Sequence, residues 1–193
     1  MKLVSDAKIG RRLRVDDNVD YIDLISSWNN VVADVVERFL GRQLTYGVQT
    51  EYFDGGSDVV SLSAYPVDTI TSVGESLATP RDYATGVVES DYYDVDTANG
   101  LLYRLTGRFL LGRRAVQVVY IGGYQAGTDG VLSVPLPIQQ ACEDQVIFYL
   151  KRRDSMDIAS QNFGQSSDAK AVGWDLLPGV MAMLKPYRRL SLG

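Results

Sequence analysis

The sequence has no histidine, one cysteine and no long apolar run, and each shortage closes a class of function. Without histidine there is no imidazole general base, no Ser-His-Asp triad and no histidine-ligated zinc. Cys142 alone can form neither an internal disulfide nor a thiolate metal cluster, and nothing points to an oxidising compartment. No stretch approaches the roughly 18 consecutive apolar residues of a membrane span, and residues 1–14 lack a signal-peptide core. A soluble cytosolic chain without membrane contact is therefore expected. Neither a Gly-x-x-x-x-Gly-Lys-Ser/Thr loop nor a Gly-x-Gly-x-x-Gly following a strand occurs. The expectation is a protein that is not an enzyme, with no catalytic residue, cofactor or metal site.

What is present is ordinary in bulk and uneven in detail. A chain of 193 residues suits one domain with a small appendage, and folding at this size buries about 70% of the surface. The net charge of −5 argues against general nucleic-acid binding. The charges are blocked, however. Residues 1–14 carry five basic and one acidic side chain, whereas residues 15–100 carry three basic and sixteen acidic ones. Arg104, Arg108, Arg113 and Arg114 then follow with no acid among residues 101–114. Such blocks suit a protein that meets several neighbours through different faces, although solvated faces of a globule give the same pattern.

The periodicity predicts an α+β fold, mainly a helical bundle with an inserted small antiparallel β-sheet. Ser5–Leu13 reads as a short helix with Ser5 as a possible cap. A long helix over 18–40 follows, with Asp16, Asp17 and Asn18 as N-cap candidates and Asp20 and Asp23 near its positive end. Its stripe Ile22, Ile25, Trp28, Val32, Val35 and Phe39 recurs every three or four residues, and Gly41 ends it. Leu24, Val31, Val36 and Leu40 form a second strip, to be covered by the chain's own fold or by a neighbouring subunit.

Between residues 45 and 123 the period changes to that of strands. Asp54-Gly55-Gly56 and Asn99-Gly100 are turn signals, and residues 75–90 read as a long loop. A helix over 137–153 opens at Pro137, with Ile138, Ala141, Cys142, Val146, Tyr149 and Leu150 on its apolar side. Ser155–Lys170 reads as a polar link, and Pro178 opens a short amphipathic helix closed by Lys185-Pro186. The expected organisation is a helical core over 1–154 with the sheet region 45–123 inserted. Residues 155–193 form a flexible link and a C-terminal docking segment, because so short a helix is marginal alone.

The remaining chemistry is thin. Asp94-Val-Asp96-Thr-Ala-Asn99-Gly100 lacks the fifth- and sixth-position residues and the closing glutamate of a calcium loop, so it is expected to be a hairpin turn. Cys142 sits among apolar helix neighbours as a structural thiol. The twelve tyrosines suit a sheet more than a stacking surface. The arginines of 104–114 suit phosphates or a carboxylate-rich protein partner equally.

Taken in order, several segments resemble the head–tail connector (adaptor) family of tailed double-stranded-DNA phages. They are Ile9-Gly-Arg-Arg-Leu-Arg-Val-Asp-Asp, Glu37-Arg-Phe-Leu-Gly-Arg-Gln-Leu, Tyr65-Pro-Val-Asp-Thr-Ile-Thr-Ser-Val, Val116-Gln-Val-Val-Tyr-Ile-Gly-Gly-Tyr, Val134-Pro-Leu-Pro-Ile and Leu184-Lys-Pro-Tyr-Arg-Arg-Leu. Residues 75–90 and 105–114 depart from it, being longer than a minimal member needs. The resemblance implies a structural virion protein of the neck, made in the bacterial host cytoplasm. It would form a homo-oligomeric ring, usually a dodecamer, beneath the portal protein and carry the stopper or tail-completion protein. DNA would pass through the channel without specific binding.

On this basis Leu177, Met181, Leu184, Tyr187, Arg188 and Arg189 are expected to bind the portal. Leu24, Val31, Val36, Arg108, Arg113 and Arg114 are expected at the subunit interface. Two alternatives are another neck component, such as a stopper or tail terminator, and a ligand-binding module built on the tyrosine-rich sheet.

Overall fold

The computed structural model describes residues 1–15, 19–159 and 175–190. The chain forms two compact units, Met1–Leu40 with Gly127–Arg188, and Gly41–Ala126 with the chain end from Arg189. The N-cap candidates Asp16, Asp17 and Asn18 lie outside the described residues.

The first unit is helical. Helix α1, Asp6–Leu13, starts where Ser5 Oγ accepts the Lys8 N–H, and it ends on Arg14 in the left-handed region. Helix α2, Val19–Leu40, stops at Gly41, whose φ of +63° costs glycine nothing and would strain any other C′ residue. Helix α3, Leu136–Ala159, carries Pro137 in its first turn, where no backbone donor is lost. It runs beyond the expected end at 153 because no glycine or proline occurs between Pro137 and Gly164. Residues 155–159 of the expected link are therefore helix, while 160–170 and Trp174 lie outside the described residues.

Ile25, Val32, Ala33, Val36 and Leu40 of α2 are buried, as is the expected face of α3, namely Ile138, Ala141, Cys142, Val146, Tyr149 and Leu150, and the two helices pack on each other. Each large aliphatic side chain so covered contributes roughly 1.5–3 kcal/mol. Asn29 is wholly buried yet satisfied: its Nδ2 donates to Val4 O at 2.7 Å and to Asp6 Oδ1 at 2.8 Å, and its Oδ1 faces Cys142 Sγ at 3.6 Å. Glu143, also buried, ties α3 to α1 through Lys8 at 2.9 Å and Arg12 at 3.1 Å. Helix α4, Pro178–Leu184, packs on α3 with Val180 and Leu184 buried, and Leu176 just before it is buried as well. Buried Gln145 fixes its entry, accepting the Leu177 N–H at 2.9 Å and donating to Asp175 O. Among the described residues no helix is long and apolar enough to cross a membrane.

The second unit holds seven strands in two antiparallel sheets rather than one. They are β1 (Gly47–Phe53), β2 (Val59–Ser61), β3 (Val67–Glu75), β4 (Val87–Val88), β5 (Tyr93–Asp96), β6 (Leu101–Arg104) and β7 (Val116–Gly122). The larger sheet has the order β1-β7-β3-β4 and the smaller β2-β6-β5. The turn after β1 therefore links the two sheets instead of closing a hairpin, whereas Asn99-Gly100 does close the β5–β6 hairpin. Strand β4 lies inside the expected loop 75–90, since two residues carry no readable alternation. On β7, Val116, Val118 and Tyr120 face a core completed by Leu62, Val73, Leu102 and Phe109, while Gln117, Val119 and Ile121 face outward. The fold is thus α+β as expected, with four α-helices among the described residues and an inserted antiparallel sheet unit over 41–126.

Candidate functional site

Residues 105–114 form the most prominent display on the sheet unit. Phe109, 1% exposed, plugs the loop into the core. Backbone bonds fasten it to the turn after β1: Gly55 N to Gly112 O at 2.8 Å, Gly56 N to Phe109 O at 2.9 Å and Phe109 N to Ser57 O at 2.9 Å. Glycine is required at 55, where a Cβ would lie 1.8 Å from Leu110 O. The loop is thus preorganised, and it holds Leu105 at 59% and Leu111 at 77% exposure. Apolar side chains held in water by a fastened loop suit a contact surface.

Beside it lies an open groove of about 630 Å³ lined by Tyr52, Arg81, Tyr83, Arg113, Arg114 and Gln117. Register brings the pieces together, since Tyr52 on β1 faces Gln117 on β7, with the two side chains hydrogen-bonded at 3.0 Å. Arg81 donates to Ser76 O at 2.6 Å and to Arg113 O at 2.9 Å. The Arg114 guanidinium stacks on the Tyr52 ring at 4.5 Å, and the Tyr52 and Tyr83 rings are 5.6 Å apart. Arg114 itself adopts a φ of 49°, unusual for a residue with a side chain. That conformation is held from both ends, because its N–H donates to Asp54 Oδ1 at 2.7 Å and its carbonyl accepts from Tyr83 Oη at 2.7 Å. None of the three guanidinium groups has an ion-pair partner among the described residues. The arrangement can take up carboxylates or other anions from a partner.

A second surface has the opposite charge. Glu89, Asp91 and Asp94 are exposed on and before β5, beside Val87, Tyr92 and Tyr103, whose exposures run from 39% to 57%. Asp96, by contrast, is occupied at the hairpin: its carboxylate accepts from the Ala98 and Asn99 N–H groups and from Asn99 Nδ2. The Asn99 side chain and backbone bonds hold its pKa below the usual carboxylate value. Among the described residues no group of three or more histidine, cysteine or carboxylate side chains is placed to hold a metal. Burial pushes the Cys142 thiol up to about 12, with Glu143 adding to the rise, so it is a poor nucleophile.

The residues singled out by sequence are distributed unevenly. Arg108, Arg113 and Arg114 are exposed on the loop and groove, and Val31 is 47% exposed. Leu24 is half-buried, and Val36 is fully buried within the chain, so its side chain has no free surface to offer a neighbour. The C-terminal face Leu177, Met181, Leu184 and Tyr187 is not one open face. Leu184 is fully buried, Leu177 and Tyr187 are half-buried, and Met181 is open at 36%. Helix α4 instead turns Val180 and Leu184 inward, one turn apart, and Leu176 just before it is buried too. The Arg188 guanidinium lies 5.3 Å from the Phe39 ring. Arg189 is engaged within the sheet unit, with Ser61 O and Oγ and with Glu51 at 3.7 Å. Both it and Leu184 are therefore occupied before any partner arrives. Sequence reading missed Tyr52, Arg81, Tyr83 and Gln117. The Pro80-Arg81-Asp82-Tyr83 run in a presumed loop was the available hint, and only strand pairing brings Tyr52 to it.

Chains in solved structures of gene transfer agent (GTA) particles share this fold. A chain of the neck of the empty GTA particle, computed with C6 symmetry, matches with a TM-score of 0.58 at 15% identity, over 98% of this chain and 91% of that chain. The neck of the native GTA particle, computed with C12 symmetry, contains a match at 0.52 and 14% identity, over 88% and 84%. The virion of the native gene transfer agent (GTA) particle contains one at 0.53 and 15%, over 89% and 79%. At these identities the likeness is one of fold. No protein-family model matches the chain, and no curated protein matches its sequence.

Proposed function

We propose that the protein is a structural component of a phage-type head–tail neck, an adaptor that forms a ring beneath the portal and joins the capsid to the stopper or tail. The observation that carries this is the shared fold along 98% of the chain with a chain from a particle neck. A neck computed with C12 symmetry also contains this fold, which supports a ring, with twelve copies as its expected number. The preorganised loop with exposed leucines, and with arginines that make no ion pair among the described residues, fits a subunit that completes its surface by assembly. In this role the chain works through shape and contact rather than chemistry, and DNA passes the ring without base readout.

Electron microscopy tests the assignment. Purified protein is mixed with portal rings and imaged, and particles from a host lacking the protein are imaged beside complete ones. A ring of density below the portal, absent from the deficient particles, is the expected result. Particles with complete necks in the absence of the protein would refute it.

A further inference from the structure

The groove and the acidic ridge share no residue, carry opposite charge and lie on the same inserted unit. The groove is lined by Arg81, Arg113 and Arg114, none of which makes an ion pair among the described residues, in a chain whose net charge is −5. On the ridge the Glu89, Asp91 and Asp94 side chains likewise make no ion pair among the described residues. Asp94 Oδ1 accepts the N–H of its own neighbour Val95 at 2.8 Å. Both surfaces have apolar companions, Leu77 and Leu111 at 51% and 77% exposure beside the groove, and Val87 and Tyr92 at 57% and 49% on the ridge. Leu77 is held against the loop, its Cδ2 lying where a Cβ on Gly112 would stand 2.5 Å away.

We propose that the Arg81–Arg113–Arg114 groove of one copy is the socket for the Glu89–Asp91–Asp94 ridge of a second copy. A patch that meets a different patch on the next subunit makes a heterologous contact, the kind that closes into a ring when the rotation permits. Charge complementarity selects this occupant. The leucines beside the guanidinium groups favour a protein surface over a phosphate backbone, which offers them nothing to bury against. Arginine and tyrosine are also the residue types that dominate binding at interface centres. Arg81 acts here as a positioning residue, since its two bonds to backbone carbonyls shape the groove, while Arg113 and Arg114 meet the incoming carboxylates. The contact rests on the ring assignment above and specifies which surfaces make the ring.

Sedimentation of the full-length chain across a concentration series, in low and high salt, tests the contact. Self-association that weakens with salt is expected, because charge steering at exposed pairs is screened. Arg113→Glu should weaken it at least about tenfold, as should the double variant Asp91→Lys with Asp94→Lys; these exposed side chains hold up no core, and circular dichroism should be unchanged. The decisive arm is the equimolar mixture of the two reversed proteins, which should associate again as a mixed species. A wild-type chain that stays monomeric throughout, or a mixture that remains monomeric, overturns the proposal. So does loss of duplex-DNA binding in Arg113→Glu with self-association intact, which would make the groove a nucleic-acid surface. Self-association addresses only this contact, whereas presence in the neck addresses the assigned role, so either can fail alone.

Discussion

The two units differ in how finished their surfaces are. Of thirteen large apolar residues exposed among the described residues, three (Val31, Leu136 and Met181) belong to the helical unit and ten to the sheet unit. Charge is placed differently in the two. In the helical unit the buried Glu143 has two cationic partners, whereas in the sheet unit Arg104 and Arg189 pair with Glu75 and Glu51 while Arg81, Arg113 and Arg114 make no ion pair among the described residues. A unit that covers most of its large apolar side chains can serve as a scaffold. One that holds leucines and arginines open on a fastened loop is built to be completed by something else. The difference teaches that the inserted sheet unit, rather than the helical unit with α4, exposes most of the large apolar side chains among the described residues.

The largest effect that would break this contrast comes from the strip on α2. Val36→Asp places a charge in a fully covered position and should unfold the helical unit, a loss of more than about 4 kcal/mol by denaturant titration. Val31→Asp, five residues earlier on the same helix, should cost under about 0.5 kcal/mol. Equal losses would erase the distinction between covered and open positions. Leu184→Ala is expected next, at about 2–5 kcal/mol, because α4 is packed rather than waiting to dock. A melting temperature unchanged in that variant would return the C-terminal segment to the role of a free docking arm.

Glu143→Gln sharpens the comparison of charges. Its cationic partners are about half exposed, so solvent screening limits the expected loss to about 1–2 kcal/mol despite the burial of the carboxylate. Tyr120 gives the smallest effect near neutral pH and is read in alkali. Burial and then its hydrogen bond to Glu51 push its hydroxyl up to about 12 from an ordinary value near 10. The stability it contributes is fully present below about pH 10 and is lost as pH rises through about 12. Denaturation followed against pH should show that loss in the wild-type chain and a shallower one in Tyr120→Phe.

How much of this was legible in advance follows from the range over which each signal acts. Helix α2 was readable because its stripe repeats over 22 residues and glycine closes it, and the buried face of α3 because six apolar positions share one period. The β5–β6 hairpin announced itself in Asn99-Gly100, whose glycine takes a φ of +67°. Amphipathic period, caps and turns are local properties of a chain, and the sequence by itself determined them. It also determined the absence of imidazole chemistry, which needs no structure to establish. Which of two apolar strips faces the core, that Leu176 rather than Leu177 turns inward, and that β1 pairs with the distant β7 are not local. They depend on competition among surfaces for the same partners. The groove belongs to that second class: Tyr52, Arg81 and Arg113 are far apart in the chain, and only strand register and the backbone bonds of a folded loop bring them within reach of one another.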